Sequence, residues 1–134
     1  MKTNNSLKGI RIIDLSMGWA GPLAARNLAD LGADVIKVES CENFDWWRSW
    51  EATQEWIDDD GAEKSPAFNS VQRNNRNITL DLSRLEGREL LLKLVGTANA
   101  VMENFSGSVL PKLKLSYEIF KEVKKDIILL SMPA

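Results

Sequence analysis

Three short stretches of this chain carry the residue types that recognise ligands, and each follows an apolar run. The first is Ser16-Met17-Gly18-Trp19-Ala20-Gly21-Pro22. Glycines in such a turn let a ligand approach the backbone at a helix N-terminus, where anions are favoured. The simpler reading is that they only make the turn. Gly18 and Gly21 lack a third glycine in register, and no Gly-Lys-Ser/Thr follows, so the stretch is neither G-x-G-x-x-G nor a Walker loop. The second is Leu80-Asp81-Leu82-Ser83, and the third is Asn104-Phe105-Ser106, with Lys112 further on. Arg73, Arg76, Arg84 and Arg88 form a cationic stretch that either meets an anion or is a solvated face. Asp58-Asp59-Asp60 resembles a metal run, yet nothing nearby completes a Ca²⁺ loop, so it reads as exposed loop.

Composition excludes several classes of chemistry. There is no histidine in the 134 residues, which removes Ser-His-Asp and Cys-His nucleophile systems and His-ligated metal sites. The formal net charge of −2 argues against nucleic-acid binding driven by counterion release. Cys41, the single cysteine, cannot form an internal disulfide and has no partner to activate it, which predicts an inert thiol and a cytoplasmic setting. No stretch is long and apolar enough for a membrane helix, and polar Met1–Lys8 does not read as a signal peptide. The length suits one domain.

The elements that must position these stretches alternate between strands and helices. Residues 10–15 read as a first strand, 22–31 as a helix with Gly32 as its left-handed cap, and 34–39 as a second strand. Strand, helix and strand with short links make a βαβ unit with parallel pairing. Residues 40–77 break the alternation and hold Phe44, Trp46, Trp47, Trp50, Trp56 and Phe68, six of the ten aromatics. So many aromatics argue against a solvated linker and predict a long loop packed on the domain or a partner, with a short helix near Trp47–Trp56. A third strand is expected at 78–82, then a helix from Arg84 with a Ser83/Glu86 capping box, ending near Gly96. A fourth strand at 100–103, a helical turn near 108–110, a Ser116-capped helix from Tyr117 to about Lys125 and a fifth strand at 127–131 complete the pattern. The sum is an α/β, Rossmann-like, doubly wound and mainly parallel sheet, in which ligands bind beyond the carboxyl ends of the strands.

Four blocks, in order, resemble family III CoA-transferases, the CaiB/BaiF family. They are Leu15-Ser16 through Pro22 with Leu28–Glu39; Asn75-Arg76-Asn77-Ile78-Thr79-Leu80-Asp81-Leu82; Glu86-Gly87-Arg88-Glu89-Leu90-Leu91; and Ala100-Val101-Met102-Glu103-Asn104-Phe105. The resemblance implies that residues 1–134 are a single Rossmann-like CoA-binding domain, the N-terminal part of a longer enzyme. It implies transfer of CoA between an acyl-CoA and a small carboxylic acid through an aspartyl anhydride and thioester, a homodimer in the full-length form, and no metal, nucleic-acid or membrane partner. Some relatives racemise acyl-CoA instead. The family's nucleophilic aspartate lies beyond a glycine-rich segment that would follow Ala134, so no catalytic residue is assigned and the chain alone is expected to be inactive.

Residue by residue, the resemblance places Trp19 and Ala20 near the thioester end of CoA, with Trp19 where glutamine is usual. It places Leu80, Asp81, Leu82 and Ser83 along the adenosine end, Asn104, Phe105 and Ser106 against CoA, and Lys112 on its phosphates. Ser40 replaces an arginine that some members use to hold the nucleotide, which weakens that contact. Asp45 and Arg48 match a D-x-x-R pattern, expected as an ion pair. Two other readings stay open: a non-catalytic CoA- or nucleotide-binding domain, and an oligomerising domain whose Phe44–Phe68 segment meets another chain.

Overall fold

A computed structural model describes residues 5–49 and 53–133. Strand β1 (Arg11–Asp14) leads into helix α1 (Ala20–Asp30), and α1 returns through Gly32, at φ +97°, to β2 (Asp34–Glu39). Four short helices follow: α2 (Trp46–Ser49), α3 (Gln54–Asp58), α4 (Gly61–Lys64) and α5 (Pro66–Val71). Then come β3 (Arg76–Thr79), α6 (Leu85–Val95), β4 (Ala100–Glu103), α7 (Val109–Lys112), α8 (Tyr117–Val123) and β5 (Ile128–Ser131). All four strand pairings are parallel, in the order β3-β2-β1-β4-β5.

This is the doubly wound α/β sheet the alternation predicts. Ile12, Val35 and Met102 pack with Ala25 and Ala29 of α1 on one face. Ile13, Ile36, Val38 and Val101 pack with Leu91 and Val95 of α6, Leu110 of α7 and Phe120 of α8 on the other. The chain winds one way from β1 to β3 and the other way from β4 to β5. The reversal lies between β1 and β4, at whose carboxyl ends the β1–α1 turn and the segment after Glu103 meet.

Three expectations need correction. Residues 40–77 are not one long loop; four short helices interrupt them. Thr53 caps α3 by accepting from Trp56 N, and Ser65 caps α5 by accepting from Phe68 N; Trp50 lies outside the described residues. The third strand stops at Thr79, not 82, because its partner β2 ends at Glu39, the register mate of Thr79. Leu80 makes one more bond, to Glu39 O at 2.8 Å, and the chain then turns. The Ser83/Glu86 capping box is not made. Arg84 is the N-cap of α6 and caps with no side-chain bond. Ser83 turns back instead, donating from N and Oγ to Asp81 Oδ1 at 2.9 and 2.6 Å.

Candidate functional site

Where β1, β2, β3 and β4 end, the apolar core of the α6–α8 face opens to the surface as a cleft of about 310 Å³. Leu15 and Met17 line it after β1, Val38 and Glu39 from β2, Leu80 to Ser83 after β3, and Phe105, Val109 and Leu113 after β4. The early end of β3 creates one wall. Leu80 and Leu82, freed from strand pairing, face the cleft instead of a neighbouring strand. Gly87 lets α6 lie against that wall, since a Cβ there would stand 2.0 Å from Asp81 O. Hydrogen bonds from Ser83 hold the Asp81 carboxyl below its ordinary pKa.

The sequence-predicted residues divide into two groups. Leu80, Asp81, Leu82, Ser83 and Phe105 converge on the cleft. Trp19, Ala20, Asn104, Ser106 and Lys112 are not among its lining residues. Trp19 and Ala20 are exposed at the head of α1, Ser106 is exposed just after Phe105, and Lys112 is exposed on α7 beside the lining residues Val109 and Leu113. Asn104 acts behind the cleft. Its Oδ1 accepts from Met17 N and its Nδ2 donates to Met17 O, both at 2.8 Å, so one side chain just after β4 clamps the turn after β1.

The cationic stretch does not converge on the cleft. Arg73 pairs with Asp30 at 2.6 Å and Arg76 pairs with Asp34. Arg84 lies 3.8 Å from Glu86. Arg88 donates to Leu82 O at 3.1 Å and Ser83 O at 2.7 Å, so it braces the wall from behind. Among the described residues no group of acidic, histidine or cysteine side chains is arranged to hold a metal, and Asp59 is paired with Lys64 at 2.7 Å. Cys41 is exposed and unpaired with another cysteine.

Sequence reasoning missed a buried charge cluster on the opposite side of the turn. Asp14 and Lys37 are register partners on β1 and β2, and both are fully buried. Lys37 Nζ donates to Ser16 O, lies 3.3 Å from Asp45 Oδ2 and stands 3.9 Å from Asp14 Oδ2. Burial pushes the Asp14 carboxyl up from its ordinary pKa, against the opposing pull of Lys37 and the Ser16 hydrogen bonds. The expected Asp45–Arg48 ion pair is replaced by three others. Asp45 goes to Lys37, while Arg48 donates to Glu39 through Nε and a terminal nitrogen, reaches Glu63 at 2.9 Å and stacks 3.6 Å over Phe68. The physical reason is burial. Each charge must be paired once removed from water, and Glu39, at the end of β2, accepts the guanidinium in a fork. The available signal was a lysine in the middle of a parallel strand, where both faces are covered.

The sequence model of CoA-transferase family III matches residues 7–134. The chain belongs to CoA-transferase family III. It is 41% identical over 128 residues to the succinate–glutarate CoA-transferase of Agrobacterium fabrum, covering 94% of this chain and 32% of that protein. It is 38% identical over 124 residues to the succinyl-CoA:mesaconate CoA-transferase of Haloarcula hispanica, covering 92% of this chain and 30% of the relative. Among solved structures, a CaiB/BaiF family protein from Brucella suis superposes with a TM-score of 0.82 at 38% identity, over 96% of this chain and 33% of that one. This family III chain thus spans about a third of the length of the curated relatives it matches.

Proposed function

We propose that this chain is the CoA-binding part of an enzyme that transfers CoA between an acyl-CoA and a carboxylic acid. The observation that carries the reading is the cleft at the carboxyl ends of β1 to β4. Of the five described residues that line it among those the family resemblance assigns to CoA, four are consecutive, Leu80 to Ser83, and the fifth is Phe105. An apolar slot with a few polar groups at its rim suits an adenine and its ribose. Lys112 and Ser106, exposed next to the lining residues, suit the phosphates, and the turn from Met17 to Trp19 suits the thioester end. Partners in this reading are an acyl-CoA and a small carboxylic acid, with a homodimer as the full-length assembly and the cytoplasm as its setting. Among the described residues no helix is long and apolar enough to cross a membrane.

Transfer through an anhydride needs a carboxylate free to attack the thioester carbonyl. The carboxylates lining the cleft are Glu39 and Asp81. Arg48 and the Asp45 amide hold the first, and Ser83 holds the second. Asp14 and Asp45 are buried. In this reading the chain by itself binds CoA without transferring it, and the nucleophile is not one of these four groups. Calorimetric titration with CoA, followed by mass spectrometry of a mixture with succinyl-CoA and glutarate, tests both halves. Saturable binding without glutaryl-CoA is the expected result. Absence of binding by folded protein contradicts the CoA reading, and formation of glutaryl-CoA contradicts the assignment of the chain as inactive alone.

A further inference from the structure

The chain leaves the carboxyl ends of several strands through turns that a side chain closes on a nearby amide. Asp14 accepts from Ser16 N after β1, and Asp81 accepts from Ser83 N beyond β3, both at 2.9 Å. At the end of β4 the residue is Glu103, whose Oε2 accepts from Phe105 N at 2.7 Å. Its longer side chain also reaches the neighbouring strand, where Oε1 accepts from Ser131 Oγ. Ser131 is its register partner on β5, and Glu103 O accepts from Met132 N at 2.9 Å. Alternation along β4 puts Glu103 on the same face as Val101, the α6–α8 face on which the cleft opens. There it is 5% exposed. A carboxyl group buried on an apolar face is costly unless it is hydrogen-bonded, and both of its oxygens are.

We propose that Glu103 is a positioning residue for CoA, which fixes the Phe105 ring in the wall of the cleft by holding the Phe105 amide. The inference rests on the CoA reading above. Glu103 does not line the cleft, so it acts through Phe105, the one aromatic ring among the described lining residues. Phe105 is half-buried, and Ser106, Gly107 and Ser108 beyond it are all exposed, so the hold on its backbone comes from the Glu103 side. The last rung of the sheet here is Glu103 with Ser131. Phe105 N lies past that rung, and the Glu103 side chain supplies the acceptor that the ladder no longer does. The bond from Ser131 ties the same carboxyl group to β5 and fixes its direction. A ring held in place before binding loses less freedom when a planar base or the pantetheine chain packs on it.

The test is calorimetric titration with CoA of the protein, Glu103→Met, Glu103→Gln, Phe105→Leu and the double variant Glu103→Met/Phe105→Leu, with urea midpoints of the same samples. Methionine keeps the length of the side chain but offers the Phe105 amide no oxygen, whereas glutamine keeps one. Glu103→Met is expected to weaken CoA binding about tenfold, within the range of coupling between contacting residues. Glu103→Gln should stay within about twofold of wild type, and Glu103→Met should add less than about twofold once Phe105 is leucine. Wild-type affinity in folded Glu103→Met overturns the inference, even with a lower urea midpoint, since Glu103 then serves the fold alone. A loss in Glu103→Gln equal to that in Glu103→Met overturns it, as does a loss that persists undiminished beside Phe105→Leu. Ser131 is exposed, so Ser131→Ala decides the matter if Glu103→Met does not fold: weaker CoA binding supports the inference and unchanged affinity overturns it. Wild-type protein that binds CoA while the variants match it fails this inference alone. Folded wild-type protein that does not bind CoA fails the CoA reading, and the inference with it.

Discussion

Lys37 Nζ lies 3.3 Å from Asp45 Oδ2, with both side chains fully buried, and this contact joins the sheet to the helices inserted after β2. Asp45 also accepts from Gly18 N and Trp47 N. One carboxylate therefore fixes the lysine, the β1–α1 turn and the start of α2. Removing one member of a buried pair leaves an uncompensated charge, which costs about 3–5 kcal/mol. Asp45→Ala and Lys37→Met are each expected to lose that much in urea unfolding. A loss under about 1 kcal/mol for either, the range of exposed pairs, would show that the pair is not a structural hinge.

Asp14 sets a pH dependence whose sign follows from its raised pKa. The groups facing it are Lys37, Asp45 and Ser16, and burial is the largest cause of the shift. The native carboxyl keeps its proton above 3.8, where the unfolded chain has lost it. The stability from that proton is complete below the unfolded pKa and is lost as pH rises through the native one. The stability of the protein relative to Asp14→Asn should therefore fall as pH increases from 3.8 upward. Urea midpoints of the two proteins across that window provide the comparison, and a difference that is flat or rises with pH is the contrary result.

Asn104 predicts a separate effect on the ligand. Its two bonds to Met17 hold the floor of the turn beside the cleft. Asn104→Ala leaves a backbone N–H and a C=O of a half-buried residue without their partner, at about 1–3 kcal/mol in stability. The displaced Met17 also weakens CoA binding. Titration of the folded variant should give a higher dissociation constant than wild type; an unchanged constant with reduced stability would assign Asn104 to the fold alone.

The order of elements was legible from residue patterns, and the site only in part. Residues 34–39 read as a strand because Val35, Ile36 and Val38 are β-branched and the run is bounded by Asp34 and Glu39, and the structure matches those limits. Leu80 and Leu82 alternate with polar residues and so resemble strand, but pairing depends on where β2 ends, which no local pattern reveals. The short helices between 46 and 71 show no sustained period because tertiary anchors define them: Arg48 on Glu39, Ser65 Oγ donating to Trp47 O, and Trp56 against Gly61. Nothing in the local pattern marks Lys37 and Asp14 as partners, yet in a sheet covered on both faces they must be paired inside.

The cleft can be closed by bulk alone. Val109 lines it from α7 and is half-buried, with Phe105 and Leu113 as neighbours in the lining. Val109→Trp projects an indole into the space where the nucleotide is placed. CoA binding should weaken at least tenfold while the urea midpoint changes little. Retention of wild-type affinity would move the ligand elsewhere on the molecule.

The most direct measurement is a ¹⁵N–¹H correlation spectrum of the protein titrated with CoA. The account predicts saturable shifts in the amides of Leu80 to Ser83, Asn104, Phe105 and Val109, with those of β5 and the outer face of α6 unmoved. Shifts confined to β5 or α6, or a folded spectrum that CoA leaves unchanged, would contradict the assignment of the carboxyl-end cleft as the CoA site.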